Sequence, residues 1–221
     1  MENTSTLPDC SNPVYTSCYC EENIYWLVKR FLTPSGDQQQ WDVFAVFISN
    51  PARTVALWNQ RVGSSRDTAI IWDYHVILAL RERGQVHSPG RDIWIYDLDT
   101  CLPIPCHWSV YVGQTFPLGL DTLPQYQSRF RVIPGNVYLD NFASDRSHML
   151  QVSQSNAAEE TRYLSKPPSY PVICGPEARK HGTRHNLMTH FVSMAEDEQG
   201  FGTVMDFNNF TTWCSLSGPG Y

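Results

Sequence analysis

Ala69-Ile-Ile-Trp-Asp-Tyr-His-Val-Ile-Leu-Ala-Leu80 is the longest strand candidate in the chain, rich in β-branched and aromatic residues. Strand alternation along it predicts Asp73 and His75 on one face, with Trp72 and Tyr74 on the other. Three shorter runs of the same kind surround it: Asp42–Ser49 (DVFAVFIS), Thr54–Trp58 (TVALW) and Ile93–Asp97 (IWIYD). Asn50-Pro51 follows the first, and a connection containing Gly84 and Gly90 precedes the last. Hairpin-scale links of this kind predict a meander of mostly antiparallel strands.

Upstream, Ile24, Leu27, Val28 and Phe31 recur at helical spacing, which predicts a helix over Glu21–Leu32. Glu21 and Glu22 fall in its first turn and Lys29 and Arg30 in its last, matching the helix dipole, and Pro34-Ser-Gly-Asp ends it. Downstream the pattern is mixed. Trp108–Thr115 and Leu123–Ser128 read as short helices, Arg129–Ile133 as a strand and Tyr138–Phe142 as a helical turn. Residues 151–185, polar and rich in proline, read as an irregular surface segment. Asn186–Val192 reads as a helix, Gly202–Met205 as a strand, and Asp206 to about Trp213 as a final helix. A helix, then strands, then mixed helices predict a single α+β domain over 14–214, between a flexible tail over 1–13 and a C-terminal tail over 215–221.

The 221 residues are enough for one well-packed domain, and a hydrophobic share of 42% supports a core. The net charge is −6, and the densest basic stretch is only Arg179, Lys180, His181, Arg184 and His185, which argues against nucleic acid as a partner. The absence of an apolar run long enough to span a bilayer argues against a membrane. The polar first residues lack a secretory apolar region, and the seven cysteines are odd in number. Reduced thiols in the cytoplasm or nucleus are the expectation.

Cys20 stands at the N-terminal edge of the first helix, where unpaired backbone N–H groups and the dipole favour a thiolate. Cys18, two residues further out, is the competing thiol. A thiol nucleophile needs a base and a group that fixes the base's tautomer. His75 is the histidine held by a rigid strand; Asp97 and Asp99, at the end of the neighbouring strand, are both candidates for the orienting acid, and position alone does not separate them.

Five ordered strings carry a resemblance: Ser17-Cys-Tyr-Cys-Glu-Glu-Asn23, Ala45-Val-Phe-Ile-Ser-Asn50, Ile71-Trp-Asp-Tyr-His-Val76, Ile95-Tyr-Asp-Leu-Asp-Thr100 and Asn141-Phe-Ala-Ser-Asp-Arg-Ser-His-Met149. Together they resemble the protein N-terminal glutamine amidohydrolase family. The likeness runs from about Tyr15 to Met149 and returns weakly at Gly200–Val204. The resemblance implies Cys20 as nucleophile, His75 as base and Asp97 as acid, within an α-β-α layered core similar to papain- and transglutaminase-like enzymes. It implies deamidation of N-terminal glutamine in proteins and peptides through a thioester, as a step toward N-degron recognition. It implies no cofactor or metal and a monomeric enzyme whose partners are chains with a free N-terminal glutamine.

Such an enzyme must also read a cationic α-amino group, and a buried ammonium demands an anionic or carbonyl partner. Glu21, Asp73 and Asp145 are the candidates by acidity and by their place in the motifs. Two rivals stand beside this reading. One is another thiol hydrolase or a protease on the same core. The other is a zinc-binding interaction module built from Cys18, Cys20, Cys101, Cys106 and His107, whose spacings depart from the paired pattern of structural zinc sites.

Overall fold

A computed structural model of the chain describes residues 7–33, 41–63, 65–83, 92–152, 161–195 and 200–215. The helix stop expected from Pro34, the Gly84–Gly90 connection and the C-terminal tail beyond Ser215 lie outside the described residues. Helix α1 (Cys20–Leu32) comes first, then strands β1 (Trp41–Ser49), β2 (Val55–Leu57), β3 (Ile70–Trp72), β4 (His75–Glu82), β5 (Ile93–Tyr96) and β6 (Cys106–His107). Helix α2 (Trp108–Thr115), β7 (Arg129–Pro134), α3 (Gly135–Asn141), β8 (Ala143–Ser144), β9 (Leu150–Val152) and β10 (Thr161–Tyr163) follow. The last elements are β11 (Ile173–Cys174), α4 (Pro176–Lys180), β12 (Thr203–Met205) and α5 (Phe207–Ser215).

The central sheet has six strands in the order β12-β7-β1-β4-β5-β6, and each neighbouring pair is antiparallel. Strand β1 lies at its middle, and every residue of Ala45–Ser49 is buried. Its alternate residues serve opposite faces. Val43, Ala45 and Phe47 join Ile24, Leu27 and Val28 of α1, Tyr138 of α3 and Phe191 in one core. Val46 and Ile48 join Tyr111 of α2 and Phe210 and Cys214 of α5 in the other. Both faces being covered explains why the strands read as continuous apolar runs instead of strict alternation.

The run Ala69–Leu80 departs from expectation in one respect. It is two strands, not one. β3 pairs with β2 in a separate two-stranded ribbon, and β4 starts afresh in the central sheet. The break falls at Asp73-Tyr74, where the Asp73 carboxylate accepts the Tyr74 N–H at 2.9 Å. An aspartate that bonds its neighbour's backbone competes with the ladder and turns the chain. The face alternation drawn across residues 72–75 therefore fails: Trp72 stacks on the His75 ring, centroids 5.5 Å apart, instead of facing away from it.

The segment 151–185 also holds more order than its composition predicts. It contains β10, β11 and α4, and Arg146 ties its middle down. Arg146, 5% exposed, donates to both carboxylate oxygens of Glu22 at 2.8 and 2.9 Å and to the carbonyls of Pro168 and Tyr170. Leu7 and Cys10 of the N-terminal stretch pack against the first core, and Tyr96 donates to the Pro8 carbonyl at 3.0 Å. No helix among the described residues is long and apolar enough to cross a membrane.

Candidate active site

Three sequence-separated elements converge on Cys20. It is the first residue of α1, and it is 8% exposed. Cys18 lies outside the helix, is exposed, and has a left-handed backbone at φ 66°. The Cys20 side chain packs in the first core with Val76, near the start of β4. The residue before Val76 is His75, fully buried at the first position of β4. Strand β5 runs beside β4 in register Leu78↔Tyr96, so the residue after β5, Asp97, reaches back to His75.

That contact is short and dry. His75 Nε2 donates to Asp97 Oδ1 at 2.9 Å, and neither side chain is solvent exposed. With Nε2 committed to the carboxylate, the tautomer is fixed and Nδ1 keeps a lone pair. His75 Nδ1 is buried and has no hydrogen-bond partner, as befits a base awaiting a proton. Asp97 is itself held on both oxygens. Tyr111, fully buried on α2, donates to Oδ2 at 2.8 Å, and the Asp99 N–H donates to Oδ1 at 2.9 Å. Asp99 instead accepts the Tyr15 hydroxyl at 2.6 Å, which separates the two acids by role.

Electrostatics follow from this packing. Burial alone depresses His75, but the carboxylates of Asp97 and Asp99 outweigh it and hold the imidazole above its ordinary value. Asp97 is raised by burial, yet the His75 ring and the donors of Asp99 and Tyr111 bring it below the usual carboxylate value. Burial pushes the Cys20 thiol well up, and the carboxylates of Glu21, Asp99 and Asp73 add to this, against the single favourable Val76 N–H.

Glu21 is the third feature of the site. Its side chain is fully buried next to the sulfur. Glu21 Oε2 accepts the Cys20 S–H at 3.8 Å and the Tyr74 hydroxyl at 3.0 Å. Glu21 Oε1 is buried with no hydrogen bond, and His148 Nε2 stands 3.5 Å away. Tyr138 anchors the same residue by donating to its carbonyl at 2.8 Å. Asp73 is exposed and its carboxylate bonds the local backbone. Asp145 is also exposed, caps Ser147 at 2.9 Å, and lies 3.2 Å from His185, whose ring stacks on His148.

His75, Asp97 and Asp99 are the one group of His, Cys or acidic ligand atoms among the described residues that lie within 4.8 Å of one another. Their polar contacts are already those of a hydrogen-bonded relay, with His75 on Asp97 and Asp99 on Tyr15. The thiols and His107 of the zinc alternative are not gathered into such a group. Two cavities of about 350 and 640 Å³ lie apart from the thiol, around Phe116 and Phe207 and around Met188 and Met194. The sequence offered no sign of Tyr111, 14 residues from its partner. Tyr74 and His148, by contrast, stand inside the quoted motifs, but no periodic element there aims His148 at the thiol, and a tyrosine in a strand reads as core.

Residues 15–214 match the family model described as N-terminal glutamine amidase. The protein N-terminal glutamine amidohydrolase of Bos taurus is 39% identical over 198 residues, covering 89% of this chain and 84% of that protein. The Homo sapiens protein of the same name is 38% identical, covering 90% and 86%, and the Danio rerio one 36%, covering 92% and 90%. A match over nearly the whole length places this chain in the N-terminal glutamine amidase family.

Proposed function

We propose that the protein hydrolyses the side-chain carboxamide of an N-terminal glutamine to glutamate and ammonia, with Cys20 as nucleophile, His75 as base and Asp97 as orienting acid. The observation that carries this reading is the dry Asp97–His75 pair with its unpartnered Nδ1, on the strand near whose start the Cys20 side chain packs. The thiol proton passes to Nδ1, and the thiolate attacks the carboxamide carbon. The Cys20 N–H, free at the helix start, faces the developing oxyanion. Nδ1 then protonates the departing ammonia, a thioester forms, and the same nitrogen takes a proton from water to release glutamate.

Glu21 is the receptor for the α-ammonium in this reading, supported by its burial beside the sulfur and its open Oε1. Asp145 acts through His185 and His148, and Asp73 adds to the negative field at the site. A papain- or transglutaminase-like core is likewise inferred, supported by a nucleophile that opens a helix packed on an antiparallel sheet bearing the base. The test is ammonia release from a Gln-X peptide against Asn-X and acetyl-Gln-X peptides, with Cys20→Ala and Cys18→Ala in parallel. Gln-X alone is turned over, Cys18→Ala retains activity and Cys20→Ala loses it. Ammonia release by Cys20→Ala overturns the assignment.

A further inference from the structure

A carboxylate beside a nucleophilic thiol is a handicap. It opposes the anion the reaction needs, and across about 4 Å this lowers the thiolate population by on the order of tenfold to a thousandfold. Yet Glu21 is fully buried against Cys20. The direction of the thiol proton sharpens the point. Cys20 S–H is bonded to Glu21 Oε2 at 3.8 Å, while the base nitrogen, His75 Nδ1, has no partner. The thiol is thus bonded to the carboxylate instead of to the base.

We propose that Glu21 is a brake on the nucleophile and that the substrate's own α-ammonium releases it. Empty, the carboxylate holds the Cys20 S–H. Occupied, it turns its charge to the ammonium, and the S–H swings to His75 Nδ1. The S–H bond breaks, an N–H bond forms at Nδ1, and a thiolate–imidazolium pair results; ammonium and carboxylate keep their protonation. The inference rests on Glu21 as the α-ammonium receptor. It makes the free amino group a condition of chemistry as well as of binding.

The surroundings suit such a switch. Facing Cys20 besides Glu21 are the carboxylates of Asp99 and Asp73. Facing Glu21 are Tyr74 and Tyr138 as neutral donors, and His148, backed by His185. His148 Nε2 stands 3.5 Å from Oε1 without a hydrogen bond, so an incoming ammonium competes with it for that oxygen. Burial and the neighbouring carboxylates both disfavour the thiolate at rest. A resting neutral thiol that is only 8% exposed is also less open to oxidation and alkylation.

The test titrates the thiolate of Cys20 by its ultraviolet absorbance, as the difference from the Cys20→Ala protein. Glycinamide serves as the cationic probe and acetylglycinamide as its neutral control. In the native protein glycinamide raises the thiolate fraction at neutral pH by about tenfold or more, and acetylglycinamide leaves it unchanged. In Glu21→Gln the thiolate fraction without any probe is about tenfold or more above the native value, and glycinamide adds nothing. Tyr74→Phe, which removes a donor from Oε2, serves if Glu21→Gln does not fold. Its resting thiolate is scarcer than native, and glycinamide restores it; an unchanged thiolate population in that variant sinks the brake.

Inhibition of Gln-peptide turnover by glycinamide separates the two readings. If it persists in Glu21→Gln or, in the fallback case, is absent from the native protein, Glu21 is not the receptor. If glycinamide inhibits in the expected way but the thiolate population is the same in native protein and variant, Glu21 is a receptor without being a brake.

Discussion

Asp97 shows how far a single side chain here depends on its neighbours. Its oxygens accept from His75, the Asp99 N–H and Tyr111, so the anion is satisfied without water. Asp97→Asn removes the larger of the two carboxylate effects that hold His75 above its ordinary 6.5, so burial, opposed by Asp99 alone, draws it down. The imidazolium is then lost at lower pH. The basic limb of the kcat/KM profile moves to the acid side, and kcat falls by about a hundredfold or more. Tyr111→Phe strands Oδ2 in a buried site, which costs about 1–3 kcal/mol of stability, read as a lower urea midpoint. Its kcat falls while KM holds, because Tyr111 acts through Asp97 and not on substrate. Cys20, His75 and Asp97 were candidates in the sequence, but position alone left Cys18 and Asp99 as competitors, and only the resemblance separated them. Tyr111 was not a candidate, since only the packing of α2 against β5 brings it to Asp97.

At the scale of elements, the Glu22–Arg146 pair joins the first turn of α1 to the chain after β8, with side chains 0% and 6% exposed. Arg146→Met leaves Glu22 buried without its cation and costs about 3–5 kcal/mol, measured as a shifted denaturation midpoint. The double variant Glu22→Gln with Arg146→Met recovers most of that loss, because no charge is then stranded. This tie, across 124 residues, is what orders a segment whose composition reads as irregular. Composition reports local preference, and the order of residues 165–171 comes from carbonyls that a distant arginine collects. The strand break at Asp73 was hidden for a related reason. The apolar pattern is continuous across it, and only the side-chain bond to the Tyr74 N–H ends one strand and starts the next.

For the whole molecule, the coupled His75 and Asp97 set a pH window for stability. Asp97 is depressed below 3.8 in the fold, so its contribution is present above that value and lost as pH falls through its folded pKa. His75 is raised above 6.5, so its contribution is full below 6.5 and lost as pH rises through its folded pKa. The pair therefore stabilises most between about 4 and 6.5. Thermal midpoints measured across this range form a plateau with declining shoulders, and the shoulders flatten in the His75→Gln, Asp97→Asn double variant. Helix α5 closes the second core by stacking Phe210 on Phe130, rings 4.0 Å apart and 4° from parallel. Phe210→Ala costs about 3–5 kcal/mol, visible as a lower melting temperature. The two-faced core was readable from the strands' unbroken apolar runs; which helix covers which face was not, because the pattern gives no connectivity.

The stacking of Trp72 on His75 has an optical consequence. An indole whose face lies against an imidazole is quenched when that imidazole takes up a proton, because the cation accepts an electron from the excited ring. Of the seven tryptophans, Trp72 is stacked on the base itself. The protein thus carries its own fluorescent indicator of the protonation of His75. The difference in emission between native protein and Trp72→Phe, followed during a single turnover, brightens and dims as the proton leaves and returns to His75.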